Sequence, residues 1–151
     1  MRRFLTLVVL AVIAYYGYTE LLPRYQAYQD RQEAEERADD QAGEARICVA
    51  AADSLNQDLG RGLRQFSRPP VDTGSWSTFM IQMASQLSSA DSACNCPAEA
   101  CRSAAAAVLE MRRLLNRFDA MARGRTAGIS NPATAQERIE RLLARARNEA
   151  G

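Results

Sequence analysis

The pattern of apolar and polar positions divides the chain into three parts. It opens on Arg2 and Arg3 and then an uncharged, mostly apolar run from Phe4 to Tyr18. Extended through Leu22, the run makes about 19 residues. At about 1.5 Å per helical residue it spans roughly 28 Å, close to a hydrocarbon core of about 30 Å. The pattern predicts a transmembrane signal-anchor over residues 1–23, with Arg2 and Arg3 holding the N-terminus on the cytoplasmic side and Tyr15, Tyr16 and Tyr18 at the far interface. A cleaved signal peptide is the competing reading, since Val12-Ile13-Ala14 offers a cleavage site, although it leaves a very short apolar region. Both readings export the rest of the chain.

Residues 24–43 lose the apolar pattern. They are rich in Gln, Glu, Arg and Ala, with helix-supporting pairs such as Glu33 with Arg37. Tyr25 and Tyr28 begin a seam that Gln32 and Glu35 break, so the expectation is a solvated helical stalk.

From Glu44 the helical period of apolar residues returns and defines a domain over residues 44–151. Cys48, Ala52, Leu55 and Leu59 share a face that Ile47 and Ala51 widen, and Gly60 and Gly62 are read as ending the helix. A long irregular connection is expected through Ser77, carrying Arg61, Arg64, Phe66, Arg68, Pro69-Pro70 and Trp76. Phe79, Met80, Met83, Ala84 and Leu87 make the next face, with Ser75 as a capping residue. Asp91 to Cys96 breaks that helix. Pro97 then opens a helix in which Cys101, Ala104, Val108, Met111, Leu115 and Phe118 recur three and four apart, broadened by Leu114 and Met121 and stopped by Gly124. A last helix from Pro132 to about Asn148 carries Ile139, Leu142, Leu143 and Ala146, with Thr134 and Glu137 in a capping-box pattern. The fold class is therefore all-α: one transmembrane helix, a polar stalk and a small antiparallel helical bundle braced by disulfides.

Composition narrows the chemistry. Among 151 residues there is no His, and all 19 basic residues are Arg. That removes the commonest general base, the commonest metal ligand and the Schiff-base amine, so the chain is not expected to be an enzyme and no cofactor or nucleic acid is expected to bind it. Asp72-Thr73-Gly74-Ser75 matches the aspartic-protease tetrapeptide. A single copy between helices cannot supply the two carboxylates that this chemistry needs.

The four cysteines, Cys48, Cys94, Cys96 and Cys101, read as a disulfide framework in an exported domain. Helix lengths bring Cys48 beside the other three. Cys94 and Cys96 are too close to pair, which favours Cys48 with Cys94 plus Cys96 with Cys101, or Cys48 with Cys96 plus Cys94 with Cys101. Pairing Cys48 with Cys101 stays open.

These features motivate a membrane-anchored structural or interaction subunit. It would present its helical domain in the periplasm, or an equivalent exported space, to other envelope or membrane proteins. Phe66 and Trp76 are candidate partner-binding residues, as is the Arg138, Arg141 and Arg145 stripe, which suits an acidic partner or anionic headgroups. The alternative is a tethered thiol-redox or Cu(I) site built from Cys94, Cys96 and Cys101, with Met80 or Met83 as further soft ligands.

Overall fold

The computed structural model describes residues 9–10, 12, 15–66, 72–124 and 132–151. Among these residues there is no strand. A π-helical turn at Gly17–Leu21 leads into α1 (Leu22–Gln65), followed by α2 (Thr73–Ala93), α3 (Glu99–Ala122) and α4 (Pro132–Ala150). The chain divides into two compact units, Met1–Asp40 and Gln41–Gly151.

In the first unit, apolar side chains stand in solvent, among them Val9, Leu10, Val12 and Leu22. Some polar side chains pair locally along the helix: Arg37 with Glu33 at 2.7 Å, and the Gln32 amide donating to the Tyr28 hydroxyl at 2.9 Å. Among the described residues no helix is long and apolar enough to cross a membrane. That overturns the expected signal-anchor over residues 1–23, together with the single-pass arrangement built on it. Tyr15, Tyr16 and Thr19 dilute the apolar run, and the helix continues into Arg24, Gln26, Gln29, Asp30 and Arg31, so a window of spanning length takes in polar and charged groups. Residues 1–8, 11, 13 and 14, which include Arg2, Arg3, Phe4 and most of the Val12-Ile13-Ala14 site, lie outside the described residues.

The second unit is a four-helix bundle whose successive helices run antiparallel. Cys48 is joined to Cys94 at one end of the α1–α2 pair, while Gly62 meets Phe79 at the other. Asp91 pairs with Arg112, and Trp76 bonds Asp119, which sets α2 against α3. Glu99 with Arg145 and Glu110 with Arg138 set α3 against α4. Asp53 with Arg147 and Asn56 with Glu140 close α4 onto α1, giving up-down-up-down connectivity.

The core follows the sequence periodicity closely. Cys48, Ala52, Leu55 and Leu59 are buried from α1, Met83, Leu87 and Ala90 from α2, and Ile139, Leu143 and Ala146 from α4. From α3 come Cys101, Ala104, Val108, Met111, Leu114 and Leu115. Each large side chain of this set contributes about 1.5–3 kcal/mol by leaving water. The small residues Ala100, Ser103, Ala104 and Ala107 on α3 let α4 approach closely.

Several local expectations need correction. Ile47 does not widen the α1 face: it is 64% exposed. Ala84 is likewise exposed. Gly60 and Gly62 do not end a helix, because α1 continues to Gln65. The connection to α2 is correspondingly short, placing Arg61 and Arg64 on α1 and Trp76 on α2. Arg68, Pro69 and Pro70 lie outside the described residues. The α2 cap is Asp72, whose Oδ2 accepts from the Ser75 amide at 2.8 Å, rather than Ser75 itself. α3 starts at Glu99, and it ends where Gly124 takes φ of 71° and its amide bonds the Met121 carbonyl. Thr134 lies inside α4 and not at its cap.

Candidate functional site

The cysteines form two disulfides, Cys48–Cys94 and Cys96–Cys101. α1 presents Cys48 on its buried face, and Cys94 caps the C-terminus of α2, so the first bridge crosses between two helices. The second spans the turn into α3, where Cys101 occupies the first turn. The sequence separations are 46 and 5 residues. In the chain-entropy description, bridges closing loops of those lengths stabilise by about 4 and about 2 kcal/mol. Cys48 and Cys101 have no exposed surface and Cys94 only 6%, whereas Cys96 is partly exposed. With every sulfur bonded there is no free cysteine. Among the described residues no cluster of three or more His, Cys, Asp or Glu could hold a metal ion, and Met83 is a core side chain. A Cu(I) site would therefore first require reduction of a bridge.

Phe66 and Trp76 do come together, at the opposite end of the bundle from the disulfides. Trp76 packs edge-on to Phe66 with ring centroids 5.2 Å apart, and Phe79 completes the group at 5.4 Å from Phe66 and 5.6 Å from Trp76. The Trp76 indole N–H donates to Asp119 Oδ1 at 3.2 Å, and Asp119 also holds Arg123. Only 7% of Trp76 is exposed, so it plugs the bundle end rather than standing out as a docking side chain. The sequence spacing puts Phe79 on a helix face; its place in this cluster depends on the rotation of α2 over Gly62, which no local pattern encodes.

The arginine stripe is largely engaged within the bundle. Arg138 reaches Glu110 on α3 at 3.7 Å. Arg145 reaches Glu99 at 3.6 Å and bonds Glu149 at 2.6 Å, while the other Glu149 oxygen accepts from Ser103 at 2.6 Å. The Ser103 hydroxyl, and then the Arg145 guanidinium, hold the Glu149 carboxyl below its ordinary pKa. Among the described residues Arg141 makes a long contact, 3.4 Å, from its Nε to the Glu137 carbonyl. Arg147, which was not singled out from the sequence, makes the best-formed cross-helix pair, with two bonds of 2.9 and 2.7 Å to Asp53.

Two shallow grooves flank α2. One lies between Trp76, Met80, Ile81 and Ala84 and the end of α3 at Ala122 and Arg123. The other lies between α1 and α2, lined by small side chains including Ala51, Ser54, Ser85 and Ser89, and the Gln86 Oε1 beside it has no hydrogen-bond partner among the described residues. Among the described residues, neither groove brings a nucleophile together with a base. The second unit is thus a disulfide-stapled, up-down-up-down four-helix bundle. No protein-family model matches the chain, and no curated protein or solved structure matches it either.

Proposed function

We propose that the protein is a structural or interaction subunit that works in an oxidising, exported compartment. Its bundle is the stable body, and the helical segment before it binds another protein. The observation that carries the reading is the exposed series Tyr15, Tyr16, Tyr18, Leu22, Tyr25 and Tyr28, each close to half or more exposed. Tyrosines supply large, rigid contact area with a polar tip, the composition that dominates protein interfaces. The compartment is supported by the use of all four cysteines in disulfides, which persist where thiols are not kept reduced.

Affinity purification of the full chain from its native source tests the reading. A stoichiometric protein partner is expected, and replacing Leu22, Tyr25 and Tyr28 together with Ser should release it without altering the melting temperature of the bundle. A monomer that recovers no partner, or a partner retained by the triple variant, overturns it.

A further inference from the structure

The two disulfides share one end of the bundle but differ in their access to a nucleophile. Thiol–disulfide exchange needs a thiolate to approach one sulfur along the S–S axis, and a buried bridge is reached only when the surrounding structure opens. Cys48 and Cys94 are both core residues, enclosed where α1 meets the end of α2. Cys96 instead sits in the turn before α3 and is partly exposed, while its partner Cys101 is fully buried in the first turn of that helix.

This asymmetry gives each sulfur of the second bridge a separate part in exchange. Cys96 is the sulfur that can be attacked, and Cys101 is the one that leaves. A leaving thiolate is favoured at the positive end of a helix. The α3 N-cap is Ala98, which has no side chain to accept from the first-turn amides; its carbonyl accepts from the Cys101 and Arg102 amides at 3.1 and 3.3 Å.

We infer that Cys96–Cys101 is a thiol-exchange site for a dithiol protein, while Cys48–Cys94 is a locked structural bridge. The inference rests on the reading that the domain works in its oxidised form. In the first step, a thiolate of the partner dithiol bonds to Cys96 Sγ. The Cys96–Cys101 bond breaks, and its electron pair leaves on Cys101 Sγ, which takes a proton from solvent. In the second step, the partner's other thiol, losing its proton, displaces Cys96 from the mixed disulfide. Cys96 departs as a thiolate and is protonated. Two electrons pass to the protein, which holds two thiols, and the partner becomes a disulfide.

The test begins with full-length protein purified in its fully oxidised form, so that its outcome is independent of the redox state in the cell. The protein is exposed to dithiothreitol without denaturant, quenched at intervals with an alkylating reagent and mapped by mass spectrometry. Cys96 and Cys101 should be alkylated at least about tenfold faster than Cys48 and Cys94, whose labelling should instead accelerate with denaturant as global opening does. Equal rates, or earlier labelling of Cys48 and Cys94, overturn the assignment. A second measurement uses Cys101→Ser, which leaves Cys96 as the free thiol. This variant should form a mixed disulfide with a thioredoxin-type protein whose resolving cysteine has been removed, once that protein's remaining cysteine is activated as a mixed disulfide with 2-nitro-5-thiobenzoate. Failure of Cys96 to capture it also overturns the proposal. The separate reading of an oxidising compartment fails on a different result, four alkylatable thiols in protein trapped directly in cells.

Discussion

The ring of Phe79 on α2 occupies the space that a Cβ on Gly62 of α1 would fill. The glycine is therefore a notch in a continuous helix, and the aromatic cluster with Trp76 and Phe66 is seated through it. Gly62→Ala should force the ring off its two partners. Overpacking of this kind costs about 1–3 kcal/mol, more than the gain of roughly 1 kcal/mol in helix propensity. At Gly60 the nearest atom to an added Cβ is Arg64 Nη1 at 3.8 Å, so Gly60→Ala should stabilise by about 0.5–1 kcal/mol. Urea unfolding of the two variants, read by circular dichroism, should move the midpoint in opposite directions.

Asp119 is expected to matter through Trp76 more than through its exposed partner Arg123. Asp119→Ala leaves the indole N–H of a nearly buried ring without an acceptor, a loss of about 1–2 kcal/mol. Arg123→Ala should be close to neutral, as surface pairs generally are. Because Trp76 is the single tryptophan, its fluorescence reports the change directly: the emission maximum should shift to the red in Asp119→Ala and stay in place in Arg123→Ala.

The C-terminal arginines should divide by their partners. Arg141→Gln should leave the melting temperature unchanged. Arg138→Gln and Arg145→Gln each remove a contact to α3 and should lower it slightly. Arg147→Gln breaks a two-bond pair between the first and last helices of the bundle, and with Arg147 half exposed the loss should stay at or below about 1 kcal/mol. Thermal melts at low and high salt separate these cases, since the Arg138 and Arg145 effects should fade with salt.

Acid should destabilise the bundle through a few named carboxylates. Asp58 is held below its ordinary pKa by Arg61 and then Gln86, Asp72 by Ser75, and Glu149 by Ser103 and then Arg145. A folded-state pKa below the unfolded one adds stability that is complete above the unfolded value of about 4, and it is lost as pH falls through the folded value. With no His in the chain, the melting temperature should be flat from about pH 8 to about pH 5 and decline below about pH 4. Ser103→Ala should raise the Glu149 pKa, and carboxyl carbon shifts followed by NMR would check that direction.

The buried faces were legible because a helix repeats them locally. Val108, Met111 and Leu115 could be placed in the core from spacing alone, and all three are fully or nearly fully buried. What depends on the neighbouring helix was not legible. Ile47 has the same apolar character as Leu55, but it lies on an exposed side of α1. A glycine in sequence signals a stop; only the approach of Phe79 shows that Gly62 is a packing device. Asp72 and Ser75 are both good caps, and the choice between them turned on where α2 begins. The Asp53–Arg147 and Ser103–Glu149 contacts join residues 94 and 46 positions apart, with no local signal to connect them. At the N-terminus the apolar run was read by length, whereas the aromatic and polar residues within it decided against a spanning helix among the described residues.

The connectivity of the bridges bears on how the protein reaches its oxidised state. Cys48 joins Cys94, the next cysteine in the chain, and Cys96 joins Cys101, the next after that. When a chain enters an oxidising space N-terminus first, Cys94 emerges just ahead of Cys96, and once Cys48 has bonded Cys94 the last two cysteines have only each other. Consecutive pairing lets an oxidase finish the molecule without an isomerase to correct it. Mature protein should therefore accumulate undiminished in cells that can form disulfides but cannot reshuffle them.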